Sequence, residues 1–227
     1  NSTITHTAGT VTFGGISPQL IDGSSTTAFF NLTLNNSSST GLTLNKPVNV
    51  SGALTLTDGF LLTDATNILT ILDNATSSSG SSASFVDGPI KKIGNDAFTF
   101  PTGDGTRWAR IGITNPTIVS TEYTAQYFSS AYSDTDPGPG LNNVSTKEYW
   151  TLDQVNNDDV QVTLFWQDDT WSGINDCDGT PDDLRVVHFD AADSRWEIDI
   201  DGVNITGGCA GGPTVGTVQT NAIQPNY

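Results

Sequence analysis

The densest group of metal-ligating side chains is Asn175-Asp-Cys-Asp-Gly-Thr-Pro-Asp-Asp183. Asp176, Asp178 and Asp182, with Gly179 to supply a turn, could wrap carboxylate oxygens around a hard cation such as Ca²⁺. The order resembles the start of an EF-hand loop, but the closing Glu and the flanking helices are missing. A solvated acidic loop is the alternative. Asp199-Ile-Asp-Gly202 is a weaker version, and Asp190-Ala-Ala-Asp193 reads as a turn. Cys177 and Cys209, the only two cysteines, suit one disulfide in an oxidising compartment or a pair of buried thiols.

Other chemistries find less material. Glycoside hydrolysis needs two acids facing across a cleft. Asp168 and Asp169 are adjacent, and neighbours on a strand point to opposite faces, so they read as turn residues. His6 and His188 are the only histidines, no Gly-x-Ser-x-Gly is present, and His188 alternates with Val187 and Phe189 in a strand pattern. No catalytic residue is assigned, and the chain is not expected to be an enzyme. A sugar platform could form from Trp171 stacking on a sugar face beside Asp169, whereas Trp166 alternates with Leu164 as a core residue would. The alternative is that all five tryptophans serve packing.

The formal net charge is −17 over 227 residues, with only 8 Lys and Arg. Such a chain repels nucleic-acid phosphates and anionic lipid, which removes both as partners. No run of about eighteen apolar residues exists, so no membrane insertion is expected. The chain starts at Asn1 without Met, as expected of a processed export product or a piece of a longer protein. Sequons such as Asn31, Asn36 and Asn204 fit chance in a chain rich in Asn, Ser and Thr.

Helical periodicity is absent and period-two alternation recurs, which predicts an all-β fold. Residues 1–84 read as a short-strand β-solenoid, with a two-layer sandwich as the alternative. The strands are Ile4–Phe13, Ala28–Leu34, Gly41–Leu44, Val48–Val50, Ala53–Leu56, Phe60–Thr63 and Ile68–Leu72. Strands this short cannot stand alone, but stacked into rungs each buries its apolar face on the next. Leu32 and Leu34 recur ten residues later as Leu42 and Leu44, and twelve after that as Leu54 and Leu56. Thr76–Ser84 has linker composition. Residues 85–227 read as a β-sandwich or jelly roll. Its longer alternating strands include Tyr123–Phe128, Lys147–Asp153 and Asp159–Trp166. The Asp136-Pro-Gly-Pro-Gly140 run is a loop that cannot pair in a sheet.

Phe30-Asn-Leu-Thr-Leu-Asn35, Leu54-Thr-Leu-Thr-Asp-Gly-Phe60, the junction Phe85-Val-Asp-Gly-Pro-Ile-Lys-Lys-Ile-Gly-Asn-Asp-Ala-Phe-Thr-Phe-Pro-Thr-Gly103, and Tyr123–Phe128 followed by Glu148-Tyr-Trp150 stand in one order. This order resembles large secreted surface proteins of Bacteroidetes exported by the type IX route. The resemblance implies an extracellular, cell-surface, non-enzymatic protein. From it follows an expected structural or adhesive role, as an adhesin or a self-assembling filament subunit. The alternative is a carbohydrate-binding accessory module that meets extracellular glycans. Exposed short strands invite addition of a neighbour's strand. Ile4–Phe13, with Ile4, Val11 and Phe13 as its apolar side chains and Gly14-Gly15 as a hinge, is the strand most suited to exchange between copies.

Overall fold

The computed structural model describes residues 8–167, 169–174, 184–198, 203–207 and 216–220. The first four turns form a parallel solenoid with three strands per turn. Turn one holds β1 (Thr10–Gly15), β2 (Gln19–Ile21) and β3 (Thr27–Phe29). Turn two holds β4 (Asn31–Asn36), β5 (Leu42–Leu44) and β6 (Val48–Val50). Turn three holds β7 (Ala53–Asp58), β8 (Leu61–Leu62) and β9 (Leu69–Ile71), and turn four holds β10 (Thr76–Ser77), β11 (Val86–Asp87) and β12 (Ile90–Ile93). Like strands stack in register, so three flat sheets enclose one core.

Leu32 pairs with Leu54 and Leu34 with Leu56, a step of 22 residues. Val48, Leu69 and Ile90 stack at steps of 21 in the adjacent sheet. The sequence steps of ten and twelve are therefore two unequal arcs of one turn. All of these side chains are buried, and each buried Leu or Val contributes on the order of 1.5–3 kcal/mol. Parallel pairing continues past residue 85, because β11 pairs with β8 and β12 with β9.

Two expected strands shift. Ile4–Phe13 is replaced, among the described residues, by Thr10–Gly15, so Gly14 and Gly15 lie inside the ladder opposite Asn35 and Asn36. Ala28–Leu34 is not one strand but two, broken at Phe30. Parity explains the break. Phe29 and Leu32 are both buried, and in one straight strand they would face opposite sides. The chain turns a corner at Phe30, whose carbonyl accepts the Gly52 N–H at 2.7 Å.

Corner chemistry holds the turns in register. Asn36 is fully buried, and its Nδ2 donates to the Ser17 carbonyl and to Gln19 Oε1, both at 2.8 Å. One turn on, Gly59 has φ +85°, and a Cβ there would stand 2.0 Å from the Asn36 carbonyl oxygen. The Gly59 carbonyl in turn accepts the buried Ser84 hydroxyl at 2.7 Å.

Beyond turn four the strands pair antiparallel, apart from Thr102–Asp104, which adds parallel to β11. They are β13 (Phe98–Phe100), β14 (Thr102–Asp104), β15 (Arg107–Trp108), β16 (Ile111–Ile113), β17 (Glu122–Phe128), β18 (Tyr149–Val155) and β19 (Val162–Trp166). After a single helical turn, α1 (Asp169–Ser172), follow β20 (His188–Asp190), β21 (Arg195–Glu197), β22 (Val203–Thr206) and β23 (Gly216–Thr220). β17 joins the solenoid sheet by pairing antiparallel with β12, and β18 follows it. β13, β16, β19, β23 and β22 make a five-stranded sheet. Tyr123 and Ala125 of β17 share one core with Ile111, Ile113 and Val162, and that core is continuous with the solenoid leucines. The all-β reading, a solenoid followed by sandwich-like sheets, is the observed fold.

Two polar knots lock this junction. Lys92 is 1% exposed and points into the solenoid. Its Nζ donates to the carbonyls of Leu72 (2.9 Å) and Ala75 (3.2 Å) and to Asp96 Oδ2 (2.8 Å). Lys91 and Lys92 both lie within β12, on opposite faces. Asp158 accepts the backbone N–H groups of Thr117 and Ile118 and the hydroxyls of Thr117 and Thr121. Burial opposes the Asp158 charge, but these four donors outweigh it and hold the carboxyl below its ordinary value.

Candidate functional site

Turn one forms one end of the solenoid among the described residues. Among the described residues, β1, β2 and β3 are each the outermost strand of their sheets. Such strands leave backbone N–H and C=O groups facing outward. Val11 and Phe13 pair with Leu32 and Leu34 and pack against the core, and the Phe13 ring meets Phe29 edge-on at 6.1 Å. Ile16 and Leu20 are 85% and 50% exposed.

Charge is sparse through the first two turns, where Lys46 is the only charged residue from Asn31 to Thr57. Asp22 is the only charged residue from Ala8 to Phe30, in a protein of net charge −17. Even that carboxylate is engaged, accepting the Gly23 N–H at 2.7 Å. Natural edge strands are commonly guarded by lysine, proline or a bulge. Turn one has no lysine, and its one proline, Pro18, precedes β2.

The other sequence candidates fall elsewhere. Ile4, Asp176, Asp178, Asp182, Cys177 and Cys209 lie outside the described residues. Asp169 opens α1 and Trp171 lies in it. One face of the Trp171 ring is covered by the Arg107 guanidinium, 4.4 Å from the ring centroid, which leaves less of it for a sugar. Trp166 is buried, as its alternation with Leu164 implies. Asp190, Asp193 and Glu197 bring carboxylate oxygens within 4.8 Å of one another. Arg195 already bridges Asp193 and Glu197, at 2.9 and 2.6 Å, so the group is an ion-paired hairpin turn.

One buried acid escaped the sequence reading. Glu148 is buried beneath Arg107 and α1, and accepts the Tyr127 hydroxyl at 2.8 Å. Burial pushes its carboxyl above the ordinary 4.5, against hydrogen bonds from Ser172 and Tyr127 and the charge of Arg107. Burial, and then Glu148, push the Tyr127 phenol up as well. The only sequence signal is parity: Glu148 precedes the alternating run of β18 on its inward side. A raised folded pKa means the native state holds this proton more tightly than the unfolded chain does. Its stabilising contribution is full below the ordinary value and is lost as pH rises through the raised one. Glu148→Gln keeps an acceptor for Tyr127 without the buried charge. Relative to the parent, its melting temperature should therefore rise between pH 4 and pH 8, as scanning calorimetry would show. A gap independent of pH would contradict this.

No family, curated protein or solved structure matches the chain in comparisons with known proteins.

Proposed function

We propose that this is an extracellular structural or adhesive surface protein, without catalytic activity, that pairs with a second copy through the edge strands of turn one. The observation that carries the reading is the edge of turn one, with Asp22 as its one charge and no guard among the described residues, on a strongly acidic protein. All acidic residues except Asp22 lie from Asp58 onward, so contact between copies is favoured toward the turn-one end. The resemblance of the junction and the Leu-Thr-Leu motifs to secreted surface proteins supports the extracellular setting.

β1 is fully laddered to β4, so edge pairing in place is favoured over donation of the strand. At the opposite end two of the three sheets carry antiparallel strands, with β17 on β12 and β15 on β14, while the first ends at the two-residue β10. Like ends therefore meet, and two copies close around a two-fold axis. Sedimentation equilibrium of the intact chain should show reversible association above the 24.0 kDa monomer. Thr12→Lys with Leu20→Lys, both at exposed positions, should weaken it at least tenfold with unchanged circular dichroism. A monomer at every accessible concentration, or a double variant that associates as the parent does, would refute the reading. Filaments by electron microscopy would replace the two-fold pair with head-to-tail addition.

A further inference from the structure

The outer face of the sheet formed by β9, β12, β17 and β18 carries a groove of about 290 Å³. This lies near the lower end of the roughly 300–1,000 Å³ typical of small-molecule sites. Alternation along β17 sends Tyr123, Ala125 and Tyr127 inward and leaves Thr124 and Gln126 outside. Register then sets Thr124 opposite Asp153 and Gln126 opposite Thr151, with Lys91 beside Thr124. Ala65, Ile68 and Pro89 complete the lining with an apolar wall.

The wall is held in place. Asp64 accepts the Thr66 and Asn67 backbone N–H groups at 2.7 and 2.8 Å and the Asn67 amide at 2.8 Å, which fixes the loop bearing Ala65 and Ile68. The Thr63 hydroxyl donates to the Pro89 carbonyl at 2.7 Å. At one end Lys91 Nζ is paired with Glu122 Oε2 at 2.6 Å. The side chains of Thr124, Gln126, Thr151 and Asp153 make no hydrogen bond to the protein among the described residues. Two hydroxyls, an amide and a carboxylate thus converge on a preformed depression with their hydrogen-bonding capacity unused.

We propose that this groove binds one or two rings of a neutral saccharide and supplies the adhesive contact; this rests on the adhesive reading above. A sugar ring offers a C–H face and a rim of hydroxyls. The first matches Ala65, Ile68 and Pro89, and the second matches the polar row. Asp153 can accept from hydroxyls, while Gln126 both donates and accepts. With Lys91 neutralised by Glu122, Asp153 gives the groove a net negative charge on a chain of −17, which disfavours phosphate, sulfate and uronate ligands. No aromatic side chain lines it, so a planar aromatic ligand gains no stacking.

The test uses the intact chain on a glycan array holding neutral, sialylated and sulfated sugars. Solution titration of the best neutral disaccharide would follow by NMR chemical-shift mapping. Saturable binding is expected, with shifts at Thr124, Gln126 and Thr151, weakened at least tenfold in Gln126→Leu at unchanged melting temperature. Titrating the Thr12→Lys, Leu20→Lys variant separates the two readings, because sugar affinity should persist there even though association is lost. Binding to no neutral glycan, preference for sulfated or sialylated ones, or unchanged affinity in Gln126→Leu would each overturn the proposal. None of these results would bear on whether turn one pairs copies.

Discussion

Gly59→Ala should cost about 3 kcal/mol or more of unfolding free energy, a large share of the roughly 5–15 kcal/mol that holds a domain folded. Two effects add. The backbone at Gly59 has φ +85°, a conformation L side chains rarely adopt. The new Cβ would also stand 2.0 Å from the Asn36 carbonyl oxygen, a backbone atom of the preceding turn that no rotamer can move aside. Gly105→Ala is the matched control. Gly105 has φ +63°, but a Cβ there meets nothing within 4 Å, so only strain, about 1 kcal/mol, should appear. Urea unfolding of both variants measures the difference. Equal losses would show that the contact between turns contributes nothing.

Lys92→Met should cost about 2–4 kcal/mol, whereas Lys91→Met should cost under about 1 kcal/mol. Methionine can occupy the same channel but donates nothing, so the carbonyls of Leu72 and Ala75 and the Asp96 carboxylate all lose a donor at a fully buried position. Replacing a buried charge by an apolar residue is sometimes harmless. Here the Ala75 carbonyl decides the sign, because methionine leaves it without a donor, while the Leu72 carbonyl keeps the Ala75 N–H at 3.0 Å. The pH dependence gives a second readout. The hydrogen bond from Lys92 holds the Asp96 carboxyl below its ordinary 3.8, despite partial burial. A depressed folded pKa contributes stability above the ordinary value that is lost as pH falls through the lower one. Chemical denaturation down to pH 2 should show a larger acid-side loss in the parent than in Lys92→Met, where the Asn74 N–H still bonds Asp96 and Asp158 still contributes. A Lys92→Met as stable as Lys91→Met would show that the Nζ bonds do not matter.

How much of this was legible in the sequence depends on the range of the contact. The Leu-Thr-Leu repeats carry the solenoid openly, because inward Leu and outward Thr must alternate on every rung. Glu122–Phe128 shows the same alternation in its burial. The break at Phe30 and the inward path of Lys92 were legible only through parity. In Ile90-Lys91-Lys92-Ile93, adjacent residues face opposite ways, so one lysine had to enter the core. The antiparallel addition of β17 to β12 left no local trace, since it joins Ile90 to Ala125 across a long excursion. The groove on that sheet inherits this limit. Its polar residues are ordinary outward positions, and only the register across three strands and the β8–β9 loop makes them converge.

The step of about 22 residues per turn makes the solenoid an adjustable spacer. Each turn touches only the turns before and after it, so adding or removing one leaves both ends chemically unchanged. The distance between the two ends then changes by one strand separation, about 4.8 Å. Lengthening such a chain needs only duplication of one rung with its corner residues, Asn36 or Gly59, in phase. The reach of the molecule can thus vary independently of what either end binds.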